Sequence, residues 1–155
     1  MWFRNLRIWQ LEAPWDLGAG ALGEALAGAR FAPCAPGQTE ALGWEPPVAE
    51  LGEELVREVA GRQLLRARIQ ERILPGGAVR EVLAERIAEI EAREGAPVRG
   101  ARRREIADEV RAGLVPKALL QSRRHWLIVD REAALVLVDT TTAACGEALL
   151  SLLRG

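Results

Sequence analysis

Eight cationic side chains fall within twenty-six residues of this sequence: Arg99, Arg102, Arg103, Arg104, Arg111, Lys117, Arg123 and Arg124. Guanidinium and ammonium groups gathered in this way suit a phosphate backbone, whose oxygens accept their N–H donors whatever the base sequence. Arg104 and Arg111 are seven apart and share one face of a helix. Lys117, Arg123 and Arg124 lie beyond Pro116 and need the fold to bring them near. Glu105, Asp108 and Glu109 sit among the arginines, so a solvated, salt-bridged helix is the competing reading. A second group is Arg62, Arg66, Arg68 and Arg72. Arg66, Arg68 and Arg72 share strand parity, which describes either a basic stripe or an ordinary wet face.

Other reactive groups are sparse. His125, Cys34 and Cys145 are the only candidates for a thiol–imidazole pair or a soft metal site. There is no C-x-x-C, and zinc needs more nitrogen and sulfur ligands at tighter spacing. Each cysteine is therefore read as a small apolar core residue, and the sequence implies no metal and no cofactor. Asp130 and Asp139 flank a hairpin and are the one pair of carboxylates suited to a divalent cation; Asp as a turn-former is the plainer reading. No phosphate-binding loop, nucleophile elbow or H-E-x-x-H occurs, so no catalytic residue is assigned and the chain is not read as an enzyme. Of the five Trp, Trp2, Trp9 and Trp126 lie in apolar runs and read as core. Trp15 and Trp44, near Pro and Gly, read as loop anchors rather than as platforms for stacked bases.

Composition bounds the class. The chain has 155 residues, 49% hydrophobic and 28% charged, which suits one domain or a compact pair of subdomains with a real core. No stretch approaches the roughly 18 uncharged apolar residues of a membrane span. Met1-Trp2-Phe3-Arg4-Asn5 lacks the order of a signal peptide. A soluble, cytoplasmic protein is expected. The net charge of −1 hides a gradient: residues 1–61 carry −5, residues 62–98 carry +1, residues 99–131 carry +5 and residues 132–155 carry −2. An anionic partner is thus directed to one segment.

The elements that must position these groups follow from periodicity. Trp2 to Leu11 reads as a strand ended by Pro14, and Leu17 to Ala29 as a glycine-weakened helix. Phe31 to Pro47 reads as a loop and Glu50 to Glu58 as a turn or linker. Gln63 to Ile73 alternates as a strand with one wet face. Val79, Val82, Leu83, Ile87 and Ile90 mark a helix face, and a second helix runs from about Arg102 to Ala112. Lys117 to Arg124 is read as a further short helix. Trp126–Val129 and Ala134–Val138 form an antiparallel hairpin, and Thr140 to Thr142 cap a last helix over Ala143 to Leu153. The class is α+β: a mixed or antiparallel sheet with packed helices, order β-α-β-α-α-β-β-α. Residues 1–74 begin the core, residues 75–117 form the helical pair as a projecting, tip-like subdomain, and residues 118–155 complete the core.

Several short signatures occur in register: Trp2-Phe3-Arg4-Asn5-Leu6, Phe31-Ala32-Pro33-Cys34, Leu42-Gly43-Trp44-Glu45-Pro46-Pro47, Glu71-Arg72-Ile73-Leu74-Pro75, Asp108-Glu109-Val110 with Leu114-Val115-Pro116-Lys117-Ala118, and Trp126-Leu127-Ile128-Val129-Asp130. In this order and at these distances the chain resembles the N-terminal half of the bacterial recombination-associated protein RdgC family. The resemblance runs from Trp2 to Arg154, although members of that family are about twice this long. It implies sequence-independent binding of double-stranded DNA, association with the nucleoid, a ring-shaped homodimer around the duplex, and functional antagonism of RecA-type recombinases by occupying DNA. On that implication the DNA contacts are Arg99, Arg102, Arg103, Arg104, Arg111, Lys117, Arg123 and Arg124, with Arg66 and Arg68. Two alternatives stay open: a protein–protein or dimerisation module built on the helical pair, and a metal-dependent nuclease.

Overall fold

A computed structural model of the chain describes residues 3–13 and 15–155. Trp2 and Pro14, read above as parts of the first strand and its stop, lie outside the described residues. The chain divides into two compact units. The first comprises Met1–Pro33, Ala41–Ile69 and Ser122–Gly155, and the second Cys34–Glu40 and Gln70–Gln121.

The fold is α+β. Its strands are β1 (Arg7–Gln10), β2 (Glu40–Glu45), β3 (Val56–Val59), β4 (Arg62–Ile73), β5 (Leu119–Asp130) and β6 (Leu135–Val138). Its helices are α1 (Ala19–Leu26), α2 (Gly76–Glu94), α3 (Gly100–Leu114) and α4 (Ala143–Arg154). The six strands form one antiparallel sheet in the order β1-β6-β5-β4-β2, with β3 also paired to β4.

Pleating decides the first unit's core. Leu65 and Ala67 of β4, Leu127 and Val129 of β5, and Val136 and Val138 of β6 leave the sheet on one side and are fully buried. Leu127 lies opposite Val138 and Val129 opposite Val136, so the apolar residues stack across the ladder. Leu22 and Leu26 of α1 and Leu149, Leu150 and Leu153 of α4 close over them at helical spacing. Thr142 starts α4 by accepting the Cys145 amide at 3.3 Å, as its position before an apolar run predicts.

The first strand is shorter than read, with Arg4 and Asn5 in a bend before β1, and three further segments differ in kind from the sequence reading. The presumed loop Phe31–Pro47 contains β2, and Trp44, read as a loop anchor, is wholly buried in the core. Its prolines flank the strand, and Gly43 is a close approach rather than a break. A Cβ there would sit 2.5 Å from Phe31 Cα and 2.7 Å from Phe31 N, because the Phe31 amide donates to the Trp44 carbonyl at 2.8 Å. The presumed linker Glu50–Glu58 contains the start of β3, which returns into β4 through Ala60 and Gly61, both at positive φ (51° and 76°). That is the backbone a two-residue hairpin needs, with alanine where asparagine or aspartate is the usual signal. The presumed short helix Lys117–Arg124 is a 3₁₀ turn, Val115–Lys117, running into β5. Trp9 and Trp126 are half-buried, and half-buried Trp15 donates its indole N–H to Gln63 at 2.9 Å.

The second unit has its own small core. Ile87 and Ile90 of α2, Ile106 of α3 and Val98 between them are buried, with Leu83 and Val110 packed against the cluster. Gly95, at φ 67°, ends α2 in the left-handed conformation and returns its amide to the Glu91 carbonyl at 2.8 Å. The Glu91 side chain also accepts the Val98 amide at 2.7 Å, which fixes the connection into α3.

Two measurements test these constraints. Gly43→Ala forces Phe31 away from β2 and lowers the stability read by urea unfolding by ~1–3 kcal/mol, the usual cost of overpacking. Asp130 ends β5, where the Ala133 amide at 3.0 Å and then the Arg62 guanidinium at 2.6 Å hold its carboxyl below the ordinary 3.8. Its folded value lies below its unfolded one, so its contribution is complete above the unfolded value and is lost as pH falls through the folded one. Thermal melts between about pH 6 and pH 2 should therefore show a shallower acid loss for Asp130→Asn than for the wild type.

Candidate nucleic-acid interface

The ten cationic candidates divide between the two units. Arg99, Arg102, Arg103, Arg104, Arg111 and Lys117 belong to the second, and Arg66, Arg68, Arg123 and Arg124 to the first.

In the second unit, Ile106 and Val110 turn one side of α3 inward, so Arg104 and Arg111 stand on the opposite, exposed side. Arg111 pairs with Asp108 at 3.4 Å, one turn earlier. Arg102 is held more firmly: its two terminal nitrogens grip the two oxygens of Glu94 at 2.6 Å each, a fork joining α3 to the end of α2. That hydrogen-bonded pairing lowers the Glu94 carboxyl from its ordinary value and raises Arg102. Arg99, at the cap of α3, and Arg103, Arg104 and Lys117 are exposed, and their side chains make no hydrogen bond or ion pair among the described residues. Of the ten candidates, these four side chains have no such partner.

In the first unit, Arg66, Arg68 and Arg124 share the sheet face opposite the α1–α4 side, as strand parity requires. There they form a structural layer. Glu45 Oε1 lies 2.8 Å from Arg66 Nε and 2.8 Å from Arg124 Nε, so one carboxylate serves two guanidiniums. The Arg66 Nε–H is not aimed at that oxygen and has no hydrogen-bond acceptor, so its contact with Glu45 is coulombic. The Arg66 guanidinium instead lies over the Trp126 ring, 5.2 Å from its centroid. Arg68 lies 4.5 Å from the centre of the Phe31 ring and donates to Ser122 at 2.9 Å. Arg123 is exposed, with the opposite parity to Arg124. The third member of the expected stripe, Arg72, belongs to the second unit. It donates to the carbonyls of Ala35, Gln38, Pro116 and Ala118 at 3.0–3.3 Å. Sequence reasoning missed Glu45 and Phe31 because both lay in the presumed loop.

The carboxylates and thiols are also accounted for. Asp139 Oδ1 accepts the amides of Arg4 and Asn5 at 3.3 and 2.9 Å, and Asp130 serves Ala133 and Arg62, so each acts in the structure as a turn and strand-end acceptor. Among the described residues no three His, Cys, Asp or Glu side chains converge as a cation site, and no helix is long and apolar enough to cross a membrane. Cys34 is buried, and its thiol meets the Gln70 carbonyl at 3.3 Å. Cys145 lies beside His125.

Comparison with known proteins gives a consistent result. The family model described as "Putative exonuclease, RdgC" matches residues 1–155. The recombination-associated protein RdgC of Shewanella denitrificans is 36% identical over 155 residues, covering 99% of this chain and 51% of its own. Proteins of the same name from Tolumonas auensis and Aeromonas hydrophila are 30% and 31% identical over 154 residues, with the same coverage. The chain spans about half the length of these curated relatives.

The shared carboxylate makes an unequal prediction. Glu45→Gln leaves two guanidiniums facing each other, one of them mostly buried, and lowers stability in urea unfolding by ~1.5–3 kcal/mol. Arg124→Ala leaves Glu45 still paired with Arg66 and costs about 1 kcal/mol or less.

Proposed function

Because this chain belongs to the RdgC family and matches its N-terminal half, we propose that it binds double-stranded DNA without sequence preference and so acts in recombination. The observation that carries this reading is the group Arg99, Arg103, Arg104 and Lys117, exposed cations with no acidic partner among the described residues. Such groups meet phosphates on flexible stems and read no base edge, so affinity comes from counterion release rather than from sequence. Arg102 and Arg111 add to this surface after exchanging a carboxylate for a phosphate. Arg66 and Arg68 support the sheet face. On this reading the protein sits on the nucleoid in the cytoplasm as a ring-shaped homodimer and restrains a RecA-type recombinase by occupying the duplex.

A second reading, a protein–protein module without its own DNA contact, is favoured by exposed apolar side chains. Ile8 and Val59 in the first unit are 55% and 52% exposed, and Leu119 in the second is 80% exposed. The word exonuclease in the family description motivates a divalent-cation arm in the same experiment.

Binding of this chain to two unrelated labelled duplexes across a salt series separates these readings. Equal affinities are expected, with log K falling linearly against log salt by about 0.9 for each phosphate engaged. Changing Arg99, Arg103, Arg104 and Lys117 together to alanine should weaken both complexes alike and reduce the slope by roughly 2–4. No binding at about 50 mM salt, with self-association in sedimentation, sinks the DNA reading for this chain in favour of the module. Cleavage in added Mg²⁺ or Mn²⁺ establishes the nuclease instead.

A further inference from the structure

We propose that Cys145 is a modification site, a thiol assisted by His125 that takes a low-molecular-weight disulfide into a mixed disulfide. Its parts come from three elements of the first unit. His125 of β5 has the parity of Leu127 and Val129 and therefore faces the side covered by α4. After β6, the Asp139 amide donates to the Trp126 carbonyl at 2.9 Å, which returns the Asp139 carbonyl to the imidazole. Thr142 then begins α4 and places Cys145 in its first turn.

The geometry sets the proton positions. His125 Nδ1 lies 2.9 Å from the Asp139 carbonyl oxygen. A carbonyl only accepts, so Nδ1 carries a hydrogen, and in the neutral imidazole Nε2 then has the lone pair. Nε2 lies 3.7 Å from Cys145 Sγ, within hydrogen-bonding reach of a thiol. Thiol, base and orienting group thus stand in sequence, the arrangement that activates a nucleophile. The sulfur also sits in the first turn of a twelve-residue helix, where the unpaired amides favour negative charge. Cys145 is half-buried rather than enclosed. Cys34 lacks all of this: it is buried, and its Sγ faces a carbonyl that cannot take a proton.

The small disulfide is the oxidant, and its leaving half is the group reduced, so the step balances. Sγ attacks one sulfur of the small disulfide as its proton passes to His125 Nε2. The disulfide bond breaks, the new bond joins Cys145 to one half of the reagent, and the other half leaves as a thiolate that recovers the proton from the imidazolium.

The test uses the folded chain with dithionitrobenzoate, which releases a coloured thiolate, and with oxidised glutathione. One thiol per chain should react fast; Cys145→Ser should abolish this phase and Cys34→Ser should keep it. His125→Ala should slow the phase by about tenfold or more, as loss of a positioned base does, with partial recovery in imidazole buffer. His125→Asn, which retains an N–H for the Asp139 carbonyl but takes no proton, should slow it equally and guards against a folding defect in the alanine variant. A histidine that only shields the sulfur gives the opposite sign. Faster reaction of either folded variant, or glutathione mass found on Cys34 instead of Cys145, overturns the proposal.

Discussion

The pleat of the two long strands is the constraint on which the rest of the first unit depends. In β4 and β5 successive side chains must leave on opposite faces, and one face is sealed by α1 and α4. Leu65, Ala67, Leu127 and Val129 then have no choice but to form the core. Arg66, Arg68, Arg124 and Trp126 are committed together to the other face. The same parity sends His125 towards α4. A shift of one residue in either strand would exchange these groups and put guanidiniums into the core, at a cost far above that of any single contact.

The arginines show how pairing, rather than number, decides what a charged segment can do. Residues 99–131 carry +5, yet the structure engages much of that charge internally. Glu94 grips Arg102, Asp108 meets Arg111, and Glu45 sits between Arg66 and Arg124. Carboxylates placed this way hold helix ends and strands in register, and Arg99, Arg103, Arg104 and Lys117 are left exposed without an acidic partner among the described residues. The proposed DNA contact is therefore a small electrostatic surface. Low affinity and a salt slope set by only a few phosphates fit such a surface.

Much of this was legible in the sequence because it depends on local periodicity. The helix faces of α2 and α3, the alternation of β4, the β5–β6 hairpin and the Thr142 cap each follow from spacing within a dozen residues. The segments read wrongly were those whose structure is fixed at long range. Gly43 is a strand residue because Phe31 crosses it, β3 turns through an alanine in a left-handed conformation, and β5 extends to Leu119 as a neighbour of β4. Propensity ranks glycine as a breaker and alanine as a helix former, and tertiary pairing overrides both.

The sequence by itself determined the α+β class, the segregation of charge and the family signatures. Only the tertiary structure decided which arginines are engaged, that Trp44 is core, and that one cysteine meets the single histidine while the other does not. The physical reason is range. Secondary structure and charge density are set by neighbours along the chain, whereas an ion pair or a thiol–imidazole contact needs two atoms within about 4 Å. For Glu45 with Arg124, and for His125 with Cys145, that separation is reached only once the sheet has formed.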